Sequence, residues 1–140
     1  MDVNITIESS KIYDDVYVIT SHTGKAIGDI DRISLSKDEI KIIESFMKES
    51  VSELNDIVSS YGSLSFDADN ITIELKLPSN WKESLLPSLE QCIKNYVSNS
   101  ICQRWYSITN KEDVKYYADK VIVNANNITK FLHEHKKPER

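Results

Sequence analysis

The segment ICQRWYSITNKED, residues 101–113, constrains the fold of this chain more than any other segment. Apolar residues recur at helical spacing on both sides of it, which predicts two long helices. The apolar face of the first comprises Leu89, Ile93, Tyr96, Val97, Ile101, Trp105 and Ile108. That of the second comprises Val114, Tyr117, Val121, Ala125, Ile128 and Leu132. A joint this short permits only an antiparallel helical hairpin or a sharply bent pair.

The ends of these two helices carry their own signals. The first is either capped at Asn80 and kinked at Pro87, or it begins at Pro87, because proline is accepted only in a first helical turn. Thr109 or Asn110 is placed to cap the second helix, since acidic residues follow within its first turn. Pro138 is expected to end it.

An earlier helix has the clearest start in the chain. Residues 36–39, SKDE, form a capping box, and Leu35 is placed to pack on Ile40 as a hydrophobic staple. The helix is expected to run to Tyr61, with Gly62 as a left-handed C-terminal cap. Its apolar stripe comprises Ile40, Ile43, Met47, Leu54, Val58 and Tyr61, widened by Phe46, Val51 and Ile57.

Two segments alternate apolar and polar residues, as half-buried strands do. Residues 3–8 predict a short N-terminal strand, and residues 63–77 predict a β-hairpin that turns at residues 67–70.

Residues 11–24 are ambiguous. Their β-branched content favours a strand, whereas the acidic early turns and the spacing of Ile12, Val16 and Ile19 favour a helix that ends near Gly24. We favour the helix, followed by a loop over residues 25–35 with Gly28 at a turn. These elements together predict a dominantly α, α+β fold: a bundle of about four helices with a small β-hairpin and a short N-terminal strand. Residues 1–135 form one domain, and residues 136–140 form a short basic tail.

Composition narrows the class of protein. The chain has 140 residues and a net charge of −5, which argues against broad binding of phosphate backbone. No apolar run is long enough to span a membrane, and the N-terminal residues do not resemble a signal peptide. Cys92 and Cys102 lie ten positions apart on one predicted helix, beyond the reach of a disulfide, which favours a reducing, intracellular environment.

No catalytic or metal-binding motif stands out. His133 and His135 lie two positions apart, so on a helix they point about 200° apart and cannot bind one metal ion from the same face. The sequence His22-Thr23-Gly24-Lys25 lacks the glycine-rich start and the final Ser or Thr of a phosphate loop. We therefore expect no enzyme, cofactor or metal site.

The aromatic residues at the joint point instead to an interface. Arg104, Trp105 and Tyr106 combine the residue types that dominate binding hot spots. Three consecutive residues span about 200° of helix surface, so one core cannot bury all three. We expect Trp105 to pack in the core and Arg104 or Tyr106 to reach a partner. The tail adds Lys136, Lys137, Pro138 and Arg140 as further interface candidates.

Several phrases resemble a group of small structural proteins of tailed phages and prophages, familiar from those of gut Bacteroidetes. They are GKAIGDIDRI, EIKIIESFMKES, LKLPSNWKESL, IKNYVSNSICQRWYSITNKED and LHEHKKPER, and they cover nearly the whole chain. In such proteins a long helix ends in an aromatic-rich turn, a second helix follows, and the chain closes on a basic Lys-Pro-x-Arg tail.

The resemblance implies a virion component at the head–tail junction, made in the host cytoplasm. It would be an adaptor or neck-ring subunit that forms a homo-oligomeric ring on the portal and contacts neighbouring neck or tail proteins. DNA would be passing cargo without specific binding, and no membrane would be involved. The alternative is a soluble protein-binding regulatory module, phage- or bacterium-encoded, acting as a monomer or dimer. A small enzyme built from scattered carboxylates and tyrosines is the third reading.

Overall fold

The computed structural model describes residues 1–27, 40–67, 69–109 and 111–134. Strand β1 (Asp2–Glu8) leads directly into helix α1 (Ser9–Ile27), and helix α2 (Ile40–Val58) is followed by the hairpin β2 (Gly62–Phe66) and β3 (Asn70–Lys76). A 3₁₀ turn (Glu83–Leu85) precedes helix α3 (Leu86–Thr109), and a second one (Lys111–Asp113) precedes helix α4 (Val114–His133). The dominantly α, α+β architecture is confirmed.

The three strands form one antiparallel sheet in the order β1-β3-β2. β1 pairs with β3 over seven residues, from Asp2 opposite Lys76 to Glu8 opposite Asn70. The predicted hairpin is confirmed, and Asp67 organises its turn, because its Oδ1 accepts hydrogen bonds from the backbone N–H groups of Asp69 and Asn70, both at 2.8 Å. These two bonds lower the pKa of the Asp67 carboxyl.

Helix α3 lies at the centre of the fold, where it contacts α1, α2, α4 and β1. The inner face of the sheet supplies the other wall of the core, because alternate residues of β1 and β3 are buried. α4 runs antiparallel to α3, so of the two arrangements that the short joint permits, the structure has the helical hairpin. The indole Nε1 of Trp81 donates to the carbonyl of Phe131 at 2.8 Å and ties the segment before α3 to the end of α4.

Several helix boundaries differ from the sequence predictions. α1 is the helix that we favoured, but it continues through Gly24 to Ile27, so the predicted loop does not begin at residue 25. The rest of that loop, with Gly28, and the capping box at 36–39 lie outside the described residues. α3 begins at Leu86 with Pro87 in its first turn, which selects the second alternative; Asn80 does not cap a helix.

Two further predictions were wrong. Ile108 was assigned to the buried face of α3, but 61% of its surface is exposed. α4 ends at His133, because Glu134 already has extended backbone with φ −71° and ψ 135°, so Pro138 does not end the helix. Among the described residues, no helix is long and apolar enough to cross a membrane.

Gly62 does not cap α2, which ends four residues earlier at Val58; it is the first residue of β2. Its backbone carries no left-handed φ, and the reason for glycine is close approach instead. A Cβ added here would collide with the backbone carbonyl of Glu74 on β3.

We therefore expect Gly62→Ala to lower the free energy of unfolding by about 2 kcal/mol, because β2 and β3 must separate to admit the methyl group. Urea denaturation followed by circular dichroism measures this. The exposed neighbour Ser63 gives the control, since Ser63→Ala adds no atom against β3 and should change stability by less than about 0.5 kcal/mol. Equal stability of the two variants would contradict this account of Gly62.

Candidate interaction surface

Arg104 bridges α3 to α2 rather than extending freely into solvent. Its Nε donates to Glu49 Oε2 at 2.9 Å, and its guanidinium also contacts the carboxylate of Glu53. Nη1 donates to the hydroxyl oxygens of Ser50 and Ser100. The side chain is 21% exposed. Arg104 is thus the most exposed of the three consecutive residues at the joint, but its described hydrogen bonds lie within its own subunit, and its contact with a partner stays a prediction.

The serine and tyrosine side chains beneath Arg104 are buried. Ser50 Oγ donates to Ser100 Oγ at 2.8 Å, and both serines are fully buried between α2 and α3. The hydroxyl of Tyr96 donates to Glu53 Oε2 at 3.4 Å. Burial, reinforced by the negative charge of Glu53, raises the pKa of Tyr96 to about 12. This polar cluster therefore fixes how α2 and α3 pack, because each member is held by another.

Tyr106 does not reach the surface, so the prediction that it is an interface residue was wrong. It is fully buried, and its ring stacks on Tyr117 of α4 with centroids 5.2 Å apart and ring planes 20° apart. Trp105 is 2% exposed, which confirms its predicted place in the core. Both aromatic residues are buried because α3 has packing partners on several sides, whereas the angular argument assumed one.

The exposed apolar residues of α4 form a surface that the sequence analysis missed. Tyr116, Ile122 and Val123 are each more than half exposed, and we call them the α4 surface. Lys120 lies over the Tyr116 ring, with Nζ 4.4 Å from its centroid. Lys115, Asp119 and Lys120 are also exposed on this helix, so charges of both signs lie near the α4 surface. The sequence signal that could have indicated this surface is a set of apolar residues outside the buried stripe of an amphipathic helix.

A second surface lies on α1. Tyr17 and Val18, which we call the α1 surface, are 52% and 64% exposed. Asp14 stands three and four positions before them on the same helix face, and Asp15 forms an ion pair with Lys94 of α3 at 3.3 Å. The α1 surface is therefore apolar, with the Asp14 carboxylate beside it.

The two surfaces are carried by helices on different sides of α3. α1 contacts α3 through Lys94, whereas α4 contacts it through Asn99, whose Nδ2 donates to Asn124 Oδ1 at 2.9 Å. Five residues along a helix correspond to a rotation of about 140°. One molecule thus presents two different apolar surfaces in different directions.

The thiols show no sign of activation. Cys92 and Cys102 are both buried and free. Burial raises the pKa of Cys92 and raises that of Cys102 to about 12, the opposite of what a nucleophilic thiolate needs.

Within residues 1–27, 40–67, 69–109 and 111–134, no group of three His, Cys, Asp or Glu side chains is placed to hold a metal ion. His133 instead shares a hydrogen bond with the Tyr61 hydroxyl, 2.6 Å from Nδ1. The tail candidates Lys136, Lys137, Pro138 and Arg140, with His135, lie outside the described residues.

Arg104→Ala should destabilise the fold by about 2 kcal/mol, because it leaves the buried serine pair and two carboxylates without their cation. Lys94→Ala is the matched control: it removes one partly exposed ion pair and should cost less than about 1 kcal/mol. Urea denaturation measures the free energy of unfolding of both variants. An equal or larger loss for Lys94→Ala would show that the Arg104 cluster does not hold α2 on α3.

Alkaline pH should test the Tyr96 environment. Its pKa is about 12 in the folded protein, against an ordinary value of 10.0, so the unfolded chain releases this proton first as pH rises. The contribution of Tyr96 to the free energy of unfolding is fully present below pH 10, and it falls by about 2 kcal/mol as the pH approaches 12. Tyr96→Phe should lose less stability than the wild type over that window. Parallel curves of unfolding free energy against pH would contradict the assignment.

Comparisons of the chain with family models, with curated proteins and with solved structures give no match.

Proposed function

We propose that the protein is a non-enzymatic structural subunit of a tailed-phage virion, a connector in the head–tail neck that forms a ring on the portal. The observation that carries the proposal is the pair of different apolar surfaces on α1 and α4. The proposed location in the neck rests on the resemblance of the quoted sequence segments to neck proteins. The two surfaces support assembly of several subunits.

Two different surfaces suit a ring better than a two-fold dimer. In a two-fold dimer the same patch is used on both subunits, whereas a ring joins one patch to a different patch on the next subunit. Asp14 lies beside the α1 surface and Lys120 beside the α4 surface, so a contact between the two can bring opposite charges together. In this arrangement α4 of one subunit contacts α1 of the next.

The charge of the protein agrees with DNA as passing cargo. A net charge of −5 gives no broad basic surface to hold the phosphate backbone, so DNA would move through such a ring without strong binding. The basic tail, with Lys136, Lys137 and Arg140, is suited to an acidic neighbour. Portal and adjoining neck or tail proteins are the proposed neighbours.

One feature favours the alternative of a monomeric or dimeric regulatory binding module. A shallow groove of about 360 Å³ runs between α3 and α4 and is lined by Asn95, Asn99, Tyr116 and Lys120, among others. Its carboxamides offer donors and acceptors to a partner segment. The two functions differ in where the protein is found: a connector is a stoichiometric part of the virion, and a regulator is not.

Purified virions should contain this protein at a copy number similar to that of the portal, measured by quantitative mass spectrometry. Ile122→Asp should leave the fold intact, because the residue is 59% exposed, but should lower incorporation at least about tenfold by placing a charge in the subunit contact. Ile42→Asp is the control: it alters an exposed isoleucine on α2 that belongs to neither surface, and incorporation should stay normal.

Absence of the protein from virions would refute the connector role. If the wild-type protein is present in virions and the Ile122→Asp variant is incorporated equally well in its place, the use of the α4 surface in the ring is refuted.

A further inference from the structure

One edge of the sheet has backbone groups that no other strand uses among the residues that the structure describes. The sheet order is β1-β3-β2, so β1 lies at one edge. The N–H of Leu77 donates to the carbonyl of Met1 at 2.9 Å, and the N–H of Ser9 donates to the carbonyl of Asp69 at 2.8 Å. Odd-numbered residues of β1 therefore direct their backbone groups toward β3.

The even-numbered residues direct their backbone groups the other way. In an antiparallel ladder, successive residues alternate between the two edges, so the N–H and C=O groups of Asp2, Asn4, Thr6 and Glu8 point away from β3. All four residues are exposed. Within the described part of the chain, no backbone group pairs with this edge of β1.

The opposite edge of the sheet is protected. The N–H of Leu64 on β2 points away from β3 and donates to Asn55 Oδ1 of α2 at 3.3 Å. α2 also packs along β2. Natural sheets commonly block exposed edges by such coverage, by proline or by lysine. β1 contains neither proline nor lysine, and its register with β3 runs through all seven residues without a bulge.

The charges of β1 disfavour pairing with a second copy. Antiparallel pairing of two β1 strands with full overlap would place Asp2 opposite Glu8 twice. Like charges directly opposite each other destabilise a strand pair. The same two carboxylates favour a different partner, one with a basic residue opposite each end of β1.

We infer that the free edge of β1 binds an extended segment of a partner protein, which adds a fourth strand to the sheet. The segment alternates apolar and polar residues over about seven positions, with Lys or Arg at both ends. Its end residues face Asp2 and Glu8, and its apolar residues continue the inner face formed by Val3, Ile5 and Ile7. This inference does not rest on the connector function.

The probe is a peptide with blocked termini and the sequence Lys-Val-Thr-Val-Thr-Val-Lys, titrated to millimolar concentration. NMR should show saturable shifts of the Asn4 and Thr6 amides, and hydrogen exchange at these amides should slow when the peptide is bound. The matched peptide Glu-Val-Thr-Val-Thr-Val-Glu should bind at least about tenfold more weakly, since it places like charges opposite Asp2 and Glu8.

Asn4→Pro tests the edge itself. Proline removes an N–H that points away from β3, so the β1–β3 ladder survives, but the incoming strand loses a donor and meets the proline ring. Peptide binding should weaken at least about tenfold. Asn4→Ala keeps the N–H and should bind as the wild type does, and Thr6→Pro repeats the test if Asn4→Pro does not fold.

The inference is overturned if the first peptide does not shift these amides, or if a folded proline variant binds it as tightly as the wild type. It is also overturned if sedimentation shows dimers that Asn4→Pro abolishes, because the edge would then bind a second copy.

Discussion

Burial of α3 on several sides is the constraint on which the rest of the structure depends. Its buried residues include Ile101, Cys102, Trp105 and Tyr106, two consecutive pairs that no single packing partner can cover. α1, α2, α4 and β1 each take one side of the helix. Because every other helix packs on α3, its sequence determines where the outer faces of α1 and α4 point, and those faces carry the exposed apolar residues.

The same constraint explains what the sequence could and could not predict. Local signals placed α2, α3, α4 and the three strands, since helical and alternating periodicities depend on which side of each element is apolar, but they left α1 ambiguous between helix and strand. The periodicity of α3 was interpreted as one face, which put Ile108 inside and left Arg104 or Tyr106 for a partner. Ile108 is instead exposed and Tyr106 is buried, because the number of neighbours around a helix is a tertiary property. The pairing of β1 with β3 links residues nearly seventy positions apart along the chain, and local patterns carry no information on it.

Gly62 shows how one residue type satisfies two different physical requirements. Glycine after an apolar stripe is typical of a left-handed helix cap, and it is equally typical of a strand whose neighbour approaches closely. α2 ends at Val58, so the backbone reaches Gly62 already in position to pair with Leu75. What decided between the two was the collision that a Cβ would have with Glu74, a contact from the other strand of the hairpin.

The polar groups between the helices fix how the helices pack, and interactions with other molecules fall to the surface. Arg104, Ser50 and Ser100 bond to one another across α2 and α3, and the two thiols are buried with raised pKa values. The free edge of β1 is held rigid by seven pairs to β3 and by the core beneath it. A partner strand would therefore find an edge already in the bound conformation, so only the partner loses conformational freedom on binding. The rigidity of this edge thus favours recognition of an extended segment. Burial of the two thiols, in contrast, disfavours catalysis by them.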